Sequence, residues 1–477
     1  MCFKKKNGLS VNEKGVLVVN SFTLATYLKK KTDVVIPTGC KNIPDYAFEK
    51  ADGRFFIGSV VFPDGLQRIG SFSISHTQIR SLSLPSSLKE IAKFAICNCE
   101  KLENVVLPEG LQKIGESAFS SCKNLSKIRL PNSLTYLGTK AFNETPISTI
   151  AITSNIKRCG IPCKNVQIDS IKQWLSIEHE DNLIQEIHHN PDYTEAYRTG
   201  TLYEYKLFIG KELLRDVVIP EGITTIKAHT FEGSNVESFK FPSTLRVIQD
   251  HAIDCPKLER LELPDGFKRI EGHDRSCDFN TPSIIRTDYV FKRLNYVRVP
   301  DSIEYFDFQL ANECELEIED PRNGFNGQYA SDMNAVLYLG NENNPYVVAI
   351  KCVARNDLRP DGVDMSKINV PSGCRVIVGW AFSEVEAESI TLPETIVTIH
   401  ARAFVSSKNL KDVLIPSSVQ ELGPQLFADC NKLHKVRYGG TKAQWEALTN
   451  KDCSRRWMYN SVVEKVECTD GIIRVED

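Results

Sequence analysis

One phrase, repeated along the chain, limits the possible folds more than any other feature. It reads Val105-Val106-Leu107-Pro108-Glu109-Gly110-Leu111-Gln112-Lys113-Ile114-Gly115-Glu116-Ser117-Ala118-Phe119-Ser120-Ser121-Cys122-Lys123-Asn124-Leu125, and the next copy opens at Ile128-Arg129-Leu130-Pro131. Further copies centre on Pro37, Pro63, Pro85, Pro220, Pro242, Pro264, Pro300, Pro371, Pro393 and Pro416. The steps from Pro85 to Pro108 to Pro131 are both 23 residues, and those from Pro220 to Pro242 to Pro264 are both 22. A fixed period with apolar residues at set offsets marks coils that cannot bury their apolar faces alone and must stack. A prior of about 150 residues per domain would divide 477 residues into three globules. The repeat overrides that prior.

Each part of the phrase has a physical role. Strand side chains alternate, so Val105 and Leu107 should point inward, and Asn104 and Val106 outward. Proline lacks an N–H and ends the strand. The Glu-Gly, Asp-Gly, Asn-Ser or Ser-Ser pair after it turns the chain. Leu111 and Ile114 return to the interior, Ala118-Phe119 fills the far side, and Leu125 closes the coil. Cys99, Cys122, Cys255 and Cys430 each stand three residues before a Leu in matching contexts. A cysteine recurring once per repeat is most simply a small buried side chain, with disulfides the next reading and metal the last. No Cys-x-x-Cys pair points to zinc.

This phrase resembles the BspA-like family of leucine-rich repeats, found in bacterial surface and secreted proteins, over about two thirds of the chain. The fold expected is a leucine-rich repeat solenoid. Each coil of 22–23 residues would supply one short parallel strand, with an irregular or short-helical convex side. Small α/β modules would cap the arrays and sit between them. The resemblance implies a binding or adhesion scaffold without enzyme activity, whose partner is a host or cell-envelope protein. It also implies a surface or secreted location. The start, Met1-Cys2-Phe3-Lys4-Lys5-Lys6, lacks the apolar stretch of an export signal, so a cytoplasmic location is the other expectation.

Breaks in the period suggest boundaries. Residues 1–33 read as an N-terminal cap, 34–153 as a first array, and 154–216 as a capping helix and hairpin junction. A second array covers 217–318 with an insertion at 273–295. A non-repeat module at 319–366, a third array at 367–438 and a C-terminal cap at 439–477 follow. Asp169-Ser170-Ile171-Lys172-Gln173-Trp174 and Thr441-Lys442-Ala443-Gln444-Trp445 share a Ser or Thr four residues before Trp. Both read as helix starts whose Trp covers the open apolar edge of a last coil.

Function is read from what faces outward. The composition, 42% hydrophobic and 25% charged, excludes a disordered or collagen-like chain. A net charge of −3 excludes a strongly basic chain of the nucleic-acid-binding kind, and no run of 18 apolar residues predicts a transmembrane helix. The outward strand positions form a mixed ladder poor in aromatic residues, which argues against stacked sugars or bases. The candidate partner-binding residues on it are Lys127, Arg129, Lys240, Arg260, Glu262, Tyr296, Arg298, Lys435 and Arg437. Lys240, Arg260 and Arg298 in particular would suit an acidic patch on a partner. His179-Glu180-Asp181 with His188-His189 is the most metal-like stretch, but it lacks the His-Glu-x-x-His spacing. No metal, cofactor or catalytic residue is assigned. Two other classes stay open: an enzyme with its site in the 273–295 insertion or the 319–366 module, and a purely structural spacer.

Overall fold

The computed structural model describes residues 8–20, 24, 28, 32–50, 53–54, 57–181, 183–188, 197–271, 284–286, 294, 296–307, 330–331, 336–352, 366–449, 457 and 461–475. Most of the 273–295 insertion and much of 319–366 therefore lie outside the described residues. The chain forms a parallel-strand solenoid with coils of about 22–23 residues and little helix. It divides into two compact units. Unit 1 comprises Met1–Ile184, Leu202–Arg215 and Lys227–Val236, and unit 2 comprises Gln185–Thr201, Asp216–Ile226 and Glu237–Asp477.

The coil interior is as the alternation requires. Val105, Leu107, Leu111, Ile114, Ala118, Phe119, Cys122 and Leu125 are all buried, and Val106 stands out into solvent. Phe119 stacks on Phe142 of the next coil with centroids 5.4 Å apart, and Phe382, Phe404 and Phe427 form a similar spine in unit 2. The residues before the repeat prolines form the expected parallel strand, as in Asn104–Val106 beside Ser81–Ser83, except before Pro131, where Lys127–Leu130 is not a strand. A second parallel ladder, of two-residue strands, forms where Leu-x-x-Ile returns to the interior. In unit 1 it runs through seven strands from Asn42–Ile43 to Glu178–His179.

Three coil-to-coil devices were not readable from the phrase. The first is the glycine after the second strand. A Cβ on Gly115, Gly138 or Gly423 would come 2.4, 2.3 or 2.1 Å from the backbone nitrogen of Lys93, Glu116 or Ala401 on a neighbouring coil. Glycine lets two backbones meet there. The second is a pair of left-handed residues on the convex side of a coil, none of them glycine: Phe94 and Asn98 (φ 55° and 55°), Ser117 and Ser121 (52° and 59°), Lys140 and Glu144 (56° and 56°). Their amides donate to the next coil: Phe94 to Glu116 O at 2.8 Å, Ser117 to Thr139 O at 3.0 Å and Ser121 to Asn143 O at 2.9 Å.

The third device is the cysteine slot. Cys99 and Cys122 lie in it with no disulfide, and each thiol reaches a carbonyl one coil earlier at 3.3 Å, Ile74 O and Ile96 O. Cys430 does so to Phe404 O at 3.0 Å, and Ser407 fills the same slot with its hydroxyl donating to Phe382 O at 2.8 Å. Cysteine is thus a small apolar filler that also satisfies a buried carbonyl. Burial pushes the Cys430 thiol up to about 12.

Two short helices close on their own coils. In Ile171–Ser176, Ser170 Oγ accepts from Gln173 N, and Gln173 Oε1 accepts from Asp169 N. Before Lys442–Thr449, Thr441 Oγ1 accepts from Gln444 N and Gln444 Oε1 from Thr441 N. This reciprocal capping satisfies N-terminal amides that a short helix leaves unpaired. Trp174 is fully buried, and its indole N–H donates to Thr230 O at 2.7 Å. Trp445 packs between Tyr438 and Trp457, with centroids 5.0 and 5.1 Å away.

Within unit 2, the coils before and after the non-repeat segment meet through their second strands. Arg269 forks onto Glu421 at 2.8 and 3.2 Å and lies over the Tyr305 ring at 4.0 Å. Arg375 Nε donates to Ile303 O, and Thr398 Oγ1 to Glu304 O. The described part of the non-repeat segment is a buried antiparallel hairpin, Val336–Leu339 with Val348–Cys352, whose second strand joins Val376–Ile377 in parallel.

Candidate functional site

The strand faces are the candidate surface, because proline-terminated strands present every second side chain to solvent. In unit 1, Asp33–Val35 pairs with Ser59–Val61 so that Val35 lies beside Val61, and Ser83 lies beside Val106. Val35, Val61 and Val106 are 51%, 54% and 75% exposed. Single exposed apolar residues are ordinary; here Val35 and Val61 are adjacent, about 5 Å apart, and Val106 stands beside Ser83 at the equivalent position of its coil. At the equivalent positions of the next coil, which forms no strand before Pro131, Lys127 and Arg129 are exposed. The neighbouring column is polar: Asp33, Ser59, Ser81 and Asn104, with Ser59 Oγ donating to Asp33 Oδ1 at 2.7 Å. Outward valines were visible in the sequence as alternation. That Val35 lies beside Val61, and Val106 beside a serine, follows from the register.

In unit 2, the strands Asp216–Val218, Ser238–Lys240, Arg260–Glu262 and Tyr296–Arg298 lie side by side in that order. The register aligns Val218 with Lys240 and Glu262 with Arg298, and it places Arg260 between Ser238 and Tyr296. The face is already internally paired. Arg260 bonds Glu262 and lies over the Tyr296 ring at 3.5 Å. Arg298 reaches Asp265 at 3.1 Å and Glu342 at 3.3 Å. Those last three residues edge a cleft of about 360 Å³ that Asp301, Asn341 and Asn343 also line. Further along unit 2, Arg437 forks onto Asp412, and Lys435 meets Glu467 at 3.3 Å. Of the expected cations on this unit, Lys240 is the exposed one for which no ion pair occurs among the described residues.

The metal-like stretch separates in space. His179 packs on Trp174 with centroids 4.3 Å apart, and its Nε2–H donates to Trp174 O at 3.0 Å. Burial holds this imidazole down to about 4, hence neutral. Glu180 accepts from Tyr136 at 2.9 Å and pairs with Arg158 at 3.1 Å. Asp181 stands instead with His229 and Glu232, residues about fifty positions away. His188 and His189 have no described side chains.

Residues 41–163, 202–317 and 361–455 match the BspA type leucine rich repeat region, in six copies. The chain belongs to the BspA-type leucine-rich repeat family. Among solved structures, this BspA-type chain is similar to a leucine-rich repeat protein from Bacteroides ovatus, at 18% identity over 97% of this chain and 98% of that one, with a TM-score of 0.32. It is similar to the T. pallidum leucine-rich repeat protein at 22% identity over 35% and 80% of the two chains, with a TM-score of 0.28. A leucine rich cell surface protein from Faecalibacterium prausnitzii matches at 16% identity over 94% and 98%, with a TM-score of 0.18. No curated protein matches. Among the described residues of this BspA-type chain, no helix is long and apolar enough to cross a membrane.

Proposed function

We propose that the protein is a non-catalytic scaffold that binds a protein partner through the strand face of unit 1. The exposed Val35–Val61 pair, together with the exposed Val106 beside Ser83, carries this reading. Burying these valines gains about 25 cal/mol per Å² of apolar surface, and the regular strands that carry them need no reordering. Lys127 and Arg129 on the following coil favour acidic residues at one end of the partner segment. The complementary partner chemistry is thus an apolar stretch flanked by carboxylates. Adhesion to a host or envelope protein is the setting that the family suggests.

The test is affinity capture from cell-envelope extract on immobilised full-length protein, comparing the native chain with V61E/V106E and with K127E/R129E. The native chain should retain a partner at micromolar concentration, both variants at least tenfold less. Equal capture by all three would move binding off this face, and no specific capture would favour the spacer.

A further inference from the structure

Nothing in the order of residues joins Asp181 to His229 and Glu232, and none of the three belongs to the strand face. The fold brings them together within unit 1. Their candidate ligand atoms all lie within 4.8 Å of one another. Two of them come from one tight turn: His229 sits at a left-handed φ of 59°, and the Glu232 amide bonds back to the His229 carbonyl. That turn is fastened to the helix Ile171–Ser176 by Trp174 Nε1–H to Thr230 O and by Lys227 Nζ–H to Ser176 O. The third residue, Asp181, follows the strand Glu178–His179 just beyond the same helix.

We propose that Asp181, His229 and Glu232 bind a divalent first-row transition cation, of which zinc is the simplest probe. The donor set is one imidazole nitrogen and two carboxylates, a combination such ions accept. Zinc–nitrogen and zinc–oxygen bonds of about 2.0–2.2 Å place tetrahedral donors about 3.3 Å apart. His229 Nδ1 and Glu232 Oε2 stand 2.8 Å apart in a hydrogen bond, so an ion must part them by about 0.5 Å, and Asp181, the exposed member, closes in as the third donor. Glu232 is fully buried and His229 partly so, which holds two ligands fixed while the solvent side stays open for entry and for a water in the fourth position. The alternative is an ordinary His–Glu contact with an acidic neighbour.

The experiment is calorimetric titration of chelator-treated full-length protein with zinc chloride. The native protein, Asp181→Asn, His229→Ala and, as control, His434→Ala are compared. Native protein and control should show one saturable site, and each site variant should lose at least tenfold in affinity. Circular dichroism checks that His229→Ala is folded, and the exposed Asp181→Asn decides the matter if it is not. No binding by native protein below millimolar zinc overturns the site. So does binding that Asp181→Asn leaves unchanged.

Discussion

A left-handed backbone at a residue with a side chain costs about 1–2 kcal/mol, and this chain accepts it repeatedly without glycine. The compensation is local. Left-handed geometry turns the amide along the stacking axis, where it meets the next coil's carbonyl, as Ser406 N does with Ala428 O at 2.8 Å. A buried amide without a partner would cost about as much as the strain. Ser406 therefore separates the two terms. Ser406→Gly keeps the bond, relieves the strain and loosens the unfolded chain, so stability should stay within about 0.5 kcal/mol. Ser406→Val keeps the bond but adds a β-branched side chain where φ is 58°, and should lose about 1–3 kcal/mol in urea unfolding. Equal stability of the two variants would mean that backbone strain is not what governs this position.

A single coil is set by how close its neighbours come. Gly138 follows the second strand, and a methyl group there would meet Glu116 N at 2.3 Å. Gly138→Ala should cost about 1–3 kcal/mol through overpacking, read as a lower urea midpoint at unchanged slope. The strand, its proline and the inward Val, Leu, Ile and Phe positions were legible in the sequence, because alternation and period are properties of one coil. The Ile-Gly pair was visible as a pattern but not as a cause, since its reason is the backbone of another coil. The cysteine slot was read as apolar filling; its bond to the carbonyl of Phe404 or Ile96 shows only once coils are stacked. The second ladder of two-residue strands is too short to carry an alternation signal of its own.

At the scale of a whole unit, contacts distant in sequence decide what is left for a partner. Sequence could list Arg260, Arg298 and Arg437 as outward cations, but it could not show Glu262, Glu342 and Asp412 already holding them. Nor could it place Asp181 beside His229. Unit 2 depends on one such distant contact, the Arg269 fork onto Glu421 beneath the Tyr305 ring. Arg269→Ala should lower stability by about 1–2 kcal/mol, and Arg269→Lys should recover only part of it, because an ammonium cannot fork. A double-mutant cycle with Glu421→Gln measures the coupling, and zero coupling would mean that the fork contributes nothing. The left-handed positions have a last consequence at this scale. The backbone makes the bond to the next coil at Tyr46, Phe94, Lys140 and Ser406 alike, so the bond itself sets no single side chain there. Chemistry along that edge can be rewritten one coil at a time while the interior stays untouched, which makes the edge a natural place to graft new recognition onto the scaffold.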